Sequence, residues 1–173
     1  MEYCLDTSVF TEAHRRYYDF DIAPGFWVAI ENNIVNGKIV SPMMVKKEID
    51  KGKDKDQLAI WTKSMAGVLF VEPDERILEN IQIVADFIEN NYENASEKEQ
   101  FLRYADPWVI AQAKANELIV VTAEARNPNE SINKATYKIN GRIKIPNVCE
   151  KLDIPWIDTF QLLRRLNIKL GLI

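Results

Sequence analysis

The chain has little of what most often announces chemistry by itself. Among its 173 residues there is one histidine, two cysteines and six glycines. Cys4 and Cys149 stand apart, in neither a CxxC nor a mixed Cys/His spacing. That excludes the short-range zinc and dithiol motifs and leaves two ordinary thiols suited to a reducing cytoplasm. The glycines are scattered and no G-x-G-x-x-G follows an apolar run, so the dinucleotide-binding signature is missing. The longest apolar runs, such as Leu118 to Val121, are far too short to span a bilayer. No basic stretch, apolar stretch and cleavage site succeed one another at the N-terminus, where Glu2-Tyr3-Cys4-Leu5 already resembles folded structure, so no targeting segment is expected. Internal repeats, low-complexity tracts and Gly/Ser linkers are also missing.

What is present suits one globular domain over residues 1–173, with 47% apolar and 28% charged residues. The net charge is −4, with a pI near 5.2. A nucleic-acid-binding protein is expected to carry a basic footprint, so this acidity counts against that class. Four of the negative charges belong to the acids singled out below, however, and the rest of the chain is formally neutral. Bound cations would offset those four locally.

Apolar periodicity orders the chain into short strands separated by helices. A strand over Tyr3–Leu5 ends at Asp6. Pro24-Gly25 opens a helix with Trp27, Ile30 and Ile34 on one face, stopped by Asn36-Gly37. A strand over Lys38–Val40 leads through Ser41-Pro42 into a helix carrying Val45, Glu48 and Ile49. After a Lys- and Asp-rich stretch come a helix (Leu58–Met65), a strand (Val68–Val71) and a long amphipathic helix (Pro73–Tyr92). Helix resumes from Ser96 and is interrupted at Asp106-Pro107. Leu118–Val121 is the clearest buried strand, followed by about twenty residues of Asn-rich polar loop. A last strand, Ile154–Ile157, precedes a helix that starts near Asp158 and holds Leu162, Leu163 and Leu166. This alternation predicts a three-layer α/β/α sandwich with a mostly parallel central sheet. Sites in such sheets lie outside the carboxyl ends of the strands, so acids at strand ends are the first to consider.

Four acids stand out, Asp6 and Glu124 after strands and Glu48 and Asp106 on or at the start of helices. Asp6 follows the first strand and precedes Thr7 and Ser8; a helix N-cap accounts for it equally well. Glu48 lies between Val45 and Ile49 on the second helix, and a solvated glutamate paired with a nearby lysine is the plainer account. Asp106 precedes Pro107, the usual pairing of an N-cap with a favoured first helical residue. Ala105, Ala111, Ala113 and Ala115 would let that helix approach the sheet closely, and a capping carboxylate still has lone pairs for a metal. Glu124 follows the clearest strand in Val120-Val121-Thr122-Ala123-Glu124, where a plain loop acid is the alternative. Together the four say more than any one does. Hard divalent cations prefer carboxylate oxygens, and carboxylates converging from separate segments repel one another unless a cation intervenes. An ion held in that way can polarise a phosphate oxygen and draw hydroxide from water.

Tyr3-Cys4-Leu5-Asp6-Thr7-Ser8-Val9-Phe10, Ser41-Pro42 through Glu48, Ala105-Asp106-Pro107-Trp108-Val109-Ile110-Ala111-Gln112-Ala113 and Thr122-Ala123-Glu124 occur in that order across almost the whole chain. The ordered set resembles the PIN-like ribonucleases, in the branch of uncharacterised bacterial and archaeal proteins related to toxin nucleases. Arg15 through Phe20, Pro24 through Trp27 and Ile145 through Cys149 resemble the same branch. The resemblance implies a metal-dependent endoribonuclease with Asp6, Glu48, Asp106 and Glu124 as the catalytic, metal-binding set and Mg²⁺ or Mn²⁺ as cofactor. Thr7, Ser8 and Thr122 are then supporting hydroxyls. It also implies an RNA substrate, frequent homodimerisation, a cytoplasmic setting and an antitoxin protein as partner. The chain departs from the family at Glu124, where Thr-x-Asp is more usual; the extra methylene moves that carboxylate outward, towards water-mediated ligation or none. Arg15 and Arg16, with His14, Tyr17 and Tyr18, offer phosphate contacts and a stacking platform for single-stranded RNA. Lys138 and Arg142, with Lys134 and Lys144, make the long loop basic near Glu124, although a solvated loop explains them as well. His14 reads as an exposed helix residue rather than a base. One alternative is a PIN-fold binding module that has lost catalysis. A phosphoaspartyl enzyme is another, but the second Asp it needs two positions after Asp6 is Ser8 here.

Overall fold

The computed structural model describes residues 2–51 and 56–170, so the Lys- and Asp-rich stretch at 52–55 lies outside the described residues. Its centre is a five-stranded sheet in the order β3-β2-β1-β4-β7, from β1 (Tyr3–Leu5), β2 (Ile39–Pro42), β3 (Phe70–Val71), β4 (Ile119–Val121) and β7 (Trp156–Ile157). Every pairing in it is parallel. Helices flank it, giving the α/β sandwich that alternating strands and helices require. β1 and β4 lie in the middle, where Cys4, Leu5, Val120 and Val121 are fully buried, as continuous apolar runs in a parallel sheet should be.

The helices are α1 (Thr7–Glu12), α2 (Pro24–Val35), α3 (Met43–Ile49), α4 (Gln57–Ser64), α5 (Ala66–Leu69), α6 (Glu75–Asn91), α7 (Ala95–Arg103), α8 (Asp106–Asn116), α9 (Ile145–Lys151) and α10 (Thr159–Arg165). α2 buries Trp27, Ile30 and Ile34 and ends as expected, with Gly37 at a φ of 69°. α8 packs on β1, β2 and β4 on one side and along α6 on the other. The buried Ala111 and Ala113 permit that approach, and the Cys4 thiol reaches the Val109 carbonyl at 3.6 Å.

Four expectations change. Ser41 and Pro42 belong to β2 instead of leading out of it, with Ser41 Oγ donating to the Leu5 carbonyl at 2.8 Å. Pro42 is tolerated because it ends the strand, where a missing N–H is least costly. Within Val68–Val71 only Phe70 and Val71 are strand; Val68 and Leu69 close the short helix α5, whose Leu69 N–H returns to the Met65 carbonyl at 2.9 Å. The last strand keeps only Trp156 and Ile157 of the four expected residues. The polar loop contains an antiparallel hairpin, β5 (Ser131–Ile132) with β6 (Ile139–Asn140). That hairpin docks on the end of α6, where the Glu93 N–H donates to the Ile139 carbonyl at 3.0 Å.

Candidate functional site

Parallel pairing decides where the first acid sits. β1 and β4 align Leu5 with Val121, so both strands end at one level, and the Asp6 N–H donates to the Val121 carbonyl at 2.9 Å. Asp6 and Thr122 are therefore neighbours although 116 residues separate them. The buried Asp6 carboxylate accepts three hydrogen bonds, all on Oδ2: from the Ser8 N–H at 3.3 Å, Ser8 Oγ at 2.5 Å and Thr122 Oγ1 at 3.0 Å. The first makes Asp6 the N-cap of α1, so the capping account is correct and does not consume Oδ1, which receives no hydrogen bond from a described residue. With both hydroxyl protons directed at Asp6, the hydroxyl oxygens accept from the chain leaving β4: Ala123 N–H to Ser8 Oγ at 2.9 Å and Glu124 N–H to Thr122 Oγ1 at 3.1 Å. Two hydroxyls thus fix the acid and the exit of the neighbouring strand together.

Glu48 is not a solvated glutamate. Its Oε2 accepts from Thr7 Oγ1 at 2.6 Å and its Oε1 from the Ala105 N–H at 2.7 Å, so it ties the start of α1 to the start of α8. The nearby lysine, Lys46, pairs with Asp50 instead. This arrangement also corrects the expectation for Asp106. The cap of α8 is Ala105, whose carbonyl accepts from Trp108 and Val109 at 2.9 and 3.0 Å and whose own backbone is already helical (φ −75°, ψ −17°). Asp106 is the first residue inside the helix, one position too late to reach the free N–H groups. Its carboxylate accepts no hydrogen bond from any described residue.

Glu124 is held from one direction by two adjacent residues. Lys144 Nζ forms an ion pair with Oε1, and the Ile145 N–H donates to Oε2 at 3.0 Å. The acids nevertheless feel one another. Burial pushes the Asp6 carboxyl up to about 6, its hydrogen bonds from Ser8 and Thr122 pull it back, and Glu124 adds to the rise. The Asp106 carboxyl is pushed up to about 8, first by burial and then by Asp6, Glu124 and Glu48, with Lys144 pulling the other way. Burial and like charges both disfavour the ionised form, which is the signature of acids gathered at one place. Even so, no group of three or more His, Cys, Asp or Glu side chains among the described residues is drawn together tightly enough to form a ready metal-ligand set. The donor set fits a hard divalent ion at two of its members: Asp106, which accepts no hydrogen bond from a described residue, and Asp6 through Oδ1, which likewise accepts none from a described residue. Glu48 and Glu124 have both oxygens engaged.

A cleft of about 690 Å³, with Glu124 alone of the four acids in its lining, runs from Ser8 past Lys144 to Arg16, Tyr17, Tyr18, Arg126, Trp156 and Phe160. Its aromatic wall includes an edge-on pair of exposed rings, Tyr17 and Phe160, with centroids 6.1 Å apart. Arg16 and Tyr17 are set there by a π-helical turn (Ala13–Tyr17), closed by the Tyr18 N–H to the Ala13 carbonyl at 2.7 Å; such turns are frequent at functional sites. Arg15 is exposed and does not line the cleft. Lys138 and Arg142 also lie outside its lining, at and after the hairpin that packs on α6. His14 is half-buried, not exposed. Its Nδ1 meets Asp19 at 2.8 Å and its Nε2 meets Asp56 at 2.7 Å, an arrangement that pins the turn. Arg126, Trp156 and Phe160 were not singled out for the site by sequence, since nothing in their local spacing joins them to Asp6, and Lys144 was expected only as part of a basic loop near Glu124.

No curated protein matches the sequence. Among solved structures, the crystal structure of VapBC2 from Rickettsia felis bound to a DNA fragment from their promoter is similar at 16% identity and a TM-score of 0.48, over 72% of this chain and 88% of that one. Within the described residues, no helix is long and apolar enough to cross a membrane. A family designated DUF4411, a domain of unknown function, matches residues 3–170. With nearly its whole length matched, acids and cleft included, the chain belongs to the DUF4411 family.

Proposed function

We propose that this chain is a PIN-like, metal-dependent endoribonuclease that hydrolyses RNA phosphodiesters, acting as the toxin of a toxin–antitoxin pair. The observation that carries the reading is the Asp106 carboxylate. It has no hydrogen-bond donor among the described residues, it sits at the sheet's carboxyl edge, and burial, reinforced by three other carboxylates, pushes its ionisation up to about 8. A purely structural acid would be capped or paired; this one is left where only a cation would stabilise its charge. Asp106 and Asp6 would hold Mg²⁺ or Mn²⁺. Glu48 positions Asp106 by fixing the Ala105 N–H, and Ser8 and Thr122 orient Asp6. When bound, the ion supplies Lewis acidity to a phosphate oxygen and a nucleophile from water at neutral pH. Arg16 and Arg126 in the cleft provide phosphate contacts, and Tyr17 and Phe160 present ring faces on which unstacked bases can pack. Arg15, Lys138 and Arg142 would then meet RNA only beyond the cleft. An antitoxin and a second copy of the chain are the protein partners this reading implies.

A second reading, a PIN-fold binding module without catalysis, is favoured by one observation: Glu124 is tied to Lys144 and Ile145, and no ready metal-ligand set stands among the described residues. Purified protein incubated with mixed RNAs, with Mg²⁺ or Mn²⁺ and with EDTA, separates the two. The nuclease reading expects internal cleavage that EDTA and Asp6→Asn both abolish. Binding of RNA with no cleavage under any ion supports the module.

A further inference from the structure

We propose that Lys144 is a built-in cation of the acid site, so that the site takes a single divalent ion between Asp6 and Asp106 and Glu124 serves as the anchor of the lysine rather than as a metal ligand. This rests on the metal-site reading above. Three observations carry it. The ammonium of Lys144 is paired with Glu124, and the lysine lines the cleft beside Ser8 and Glu124. Glu124 cannot turn towards a metal without releasing two donors at once, because the Ile145 N–H holds its other oxygen at 3.0 Å. That N–H opens α9, the next residue is Pro146 with no N–H to offer, and Lys144 supplies no side-chain cap of its own, so Glu124 is the group that satisfies this helix start. Four carboxylates with one fixed ammonium carry three net negative charges, a balance that one divalent ion leaves at a single residual charge. The longer glutamate side chain suits this arrangement, since it reaches away from Asp6 to the segment after the hairpin.

Isothermal titration of the full chain with Mn²⁺ tests the inference, with RNA cleavage measured on the same samples. Wild type should bind one ion. Lys144→Gln removes the internal charge and releases Glu124 Oε1, so Mn²⁺ should bind about tenfold more tightly or a second ion should enter. Lys144→Arg keeps the charge and should stay within about threefold of wild type. The double variant Lys144→Gln/Glu124→Gln restores the wild-type net charge, and its affinity should also lie within about threefold, the pair being replaced as a unit. Two ions in wild type overturn the proposal. So does unchanged or weaker binding in Lys144→Gln. A loss of about tenfold or more in the double variant does the same, because a pair that only balances charge, replaced as a unit, should leave affinity nearly unchanged. Wild type that binds no Mn²⁺ sinks both this proposal and the nuclease reading. Wild type that binds one ion as described but cleaves no RNA sinks the nuclease and leaves the lysine's role standing.

Discussion

Asp106→Asn is the most informative change to make in the site, because the structure says what it does not disturb. Ala105 caps α8 through its carbonyl and the Asp106 carboxylate accepts no hydrogen bond from a described residue, so asparagine there sacrifices no cap. What disappears is a titrating charge. In the folded protein the carboxyl is raised to about 8 from its ordinary 3.8. Between those values the folded state keeps a proton that the unfolded chain releases, so stability falls as pH rises through that window and is untouched below about 3.8. At pH 7 roughly three pH units of the window have been crossed, at about 1.4 kcal/mol each, a ceiling of about 4 kcal/mol. Asp106 is partly exposed, and solvent screening reduces this to about 2–4 kcal/mol. Metal-free Asp106→Asn should thus exceed wild type by that amount at pH 7 and match it at pH 4. Mn²⁺ should narrow or reverse the gap, since only wild type keeps the ligand. Asp106→Ala should behave like Asn, whereas a further loss of about 0.5–2 kcal/mol would mean that Asp106 caps the helix in solution. Urea melts at pH 4, 5.5 and 7, in EDTA and in Mn²⁺, provide the comparison. A wild-type-to-Asn difference that stays flat with pH, or an equal gain from Mn²⁺ in both proteins, refutes the reasoning.

Glu48→Ala should cost about 1–3 kcal/mol more than Glu48→Gln in melts, because alanine strands the buried Ala105 N–H while glutamine can still accept from it; equal melts would show that the bridge between α1 and α8 contributes nothing. Asp6→Asn should fold, keep the α1 cap and lose Mn²⁺ binding together with RNA cleavage, and cleavage at the wild-type rate would remove Asp6 from the site. For RNA affinity measured against salt, Arg16→Glu should weaken binding and lower the slope by about one. Lys138→Glu with Arg142→Glu should have the smaller effect, since neither residue lines the cleft, and a larger one would carry the RNA path over the hairpin. Tyr17→Ala with Phe160→Ala should weaken single-stranded RNA binding by about 1–3 kcal/mol per stacked base, and unchanged affinity in filter binding would leave the aromatic wall without that role.

Much of the architecture was written locally. Apolar runs such as Val120-Val121 announce a buried strand, Trp27, Ile30 and Ile34 announce a helix face, and Gly37 marks where that helix stops, because each signal involves residues within a turn or a few pleats of one another. Asp6 as cap belongs to the same class, its partner Ser8 being two residues away. The residues forming one site were a different matter. Thr122 meets Asp6 only because parallel pairing aligns Leu5 with Val121, and Glu48 meets Ala105 across 57 residues only because β2 and α8 both border β1. Asp106 shows the two levels in conflict. Asp-Pro is a strong local capping signal, yet Ala105 took the cap, since Glu48 holds its N–H and its backbone is already helical. The final position of Glu124 was also undetermined by its neighbours in sequence, because Lys144 and Ile145 reach it only once the chain has passed through the hairpin and returned. Sequence chose which acids stand at strand ends, because propensity and periodicity act over a few residues; tertiary structure chose which of them keep free oxygens, because that depends on donors arriving from distant segments.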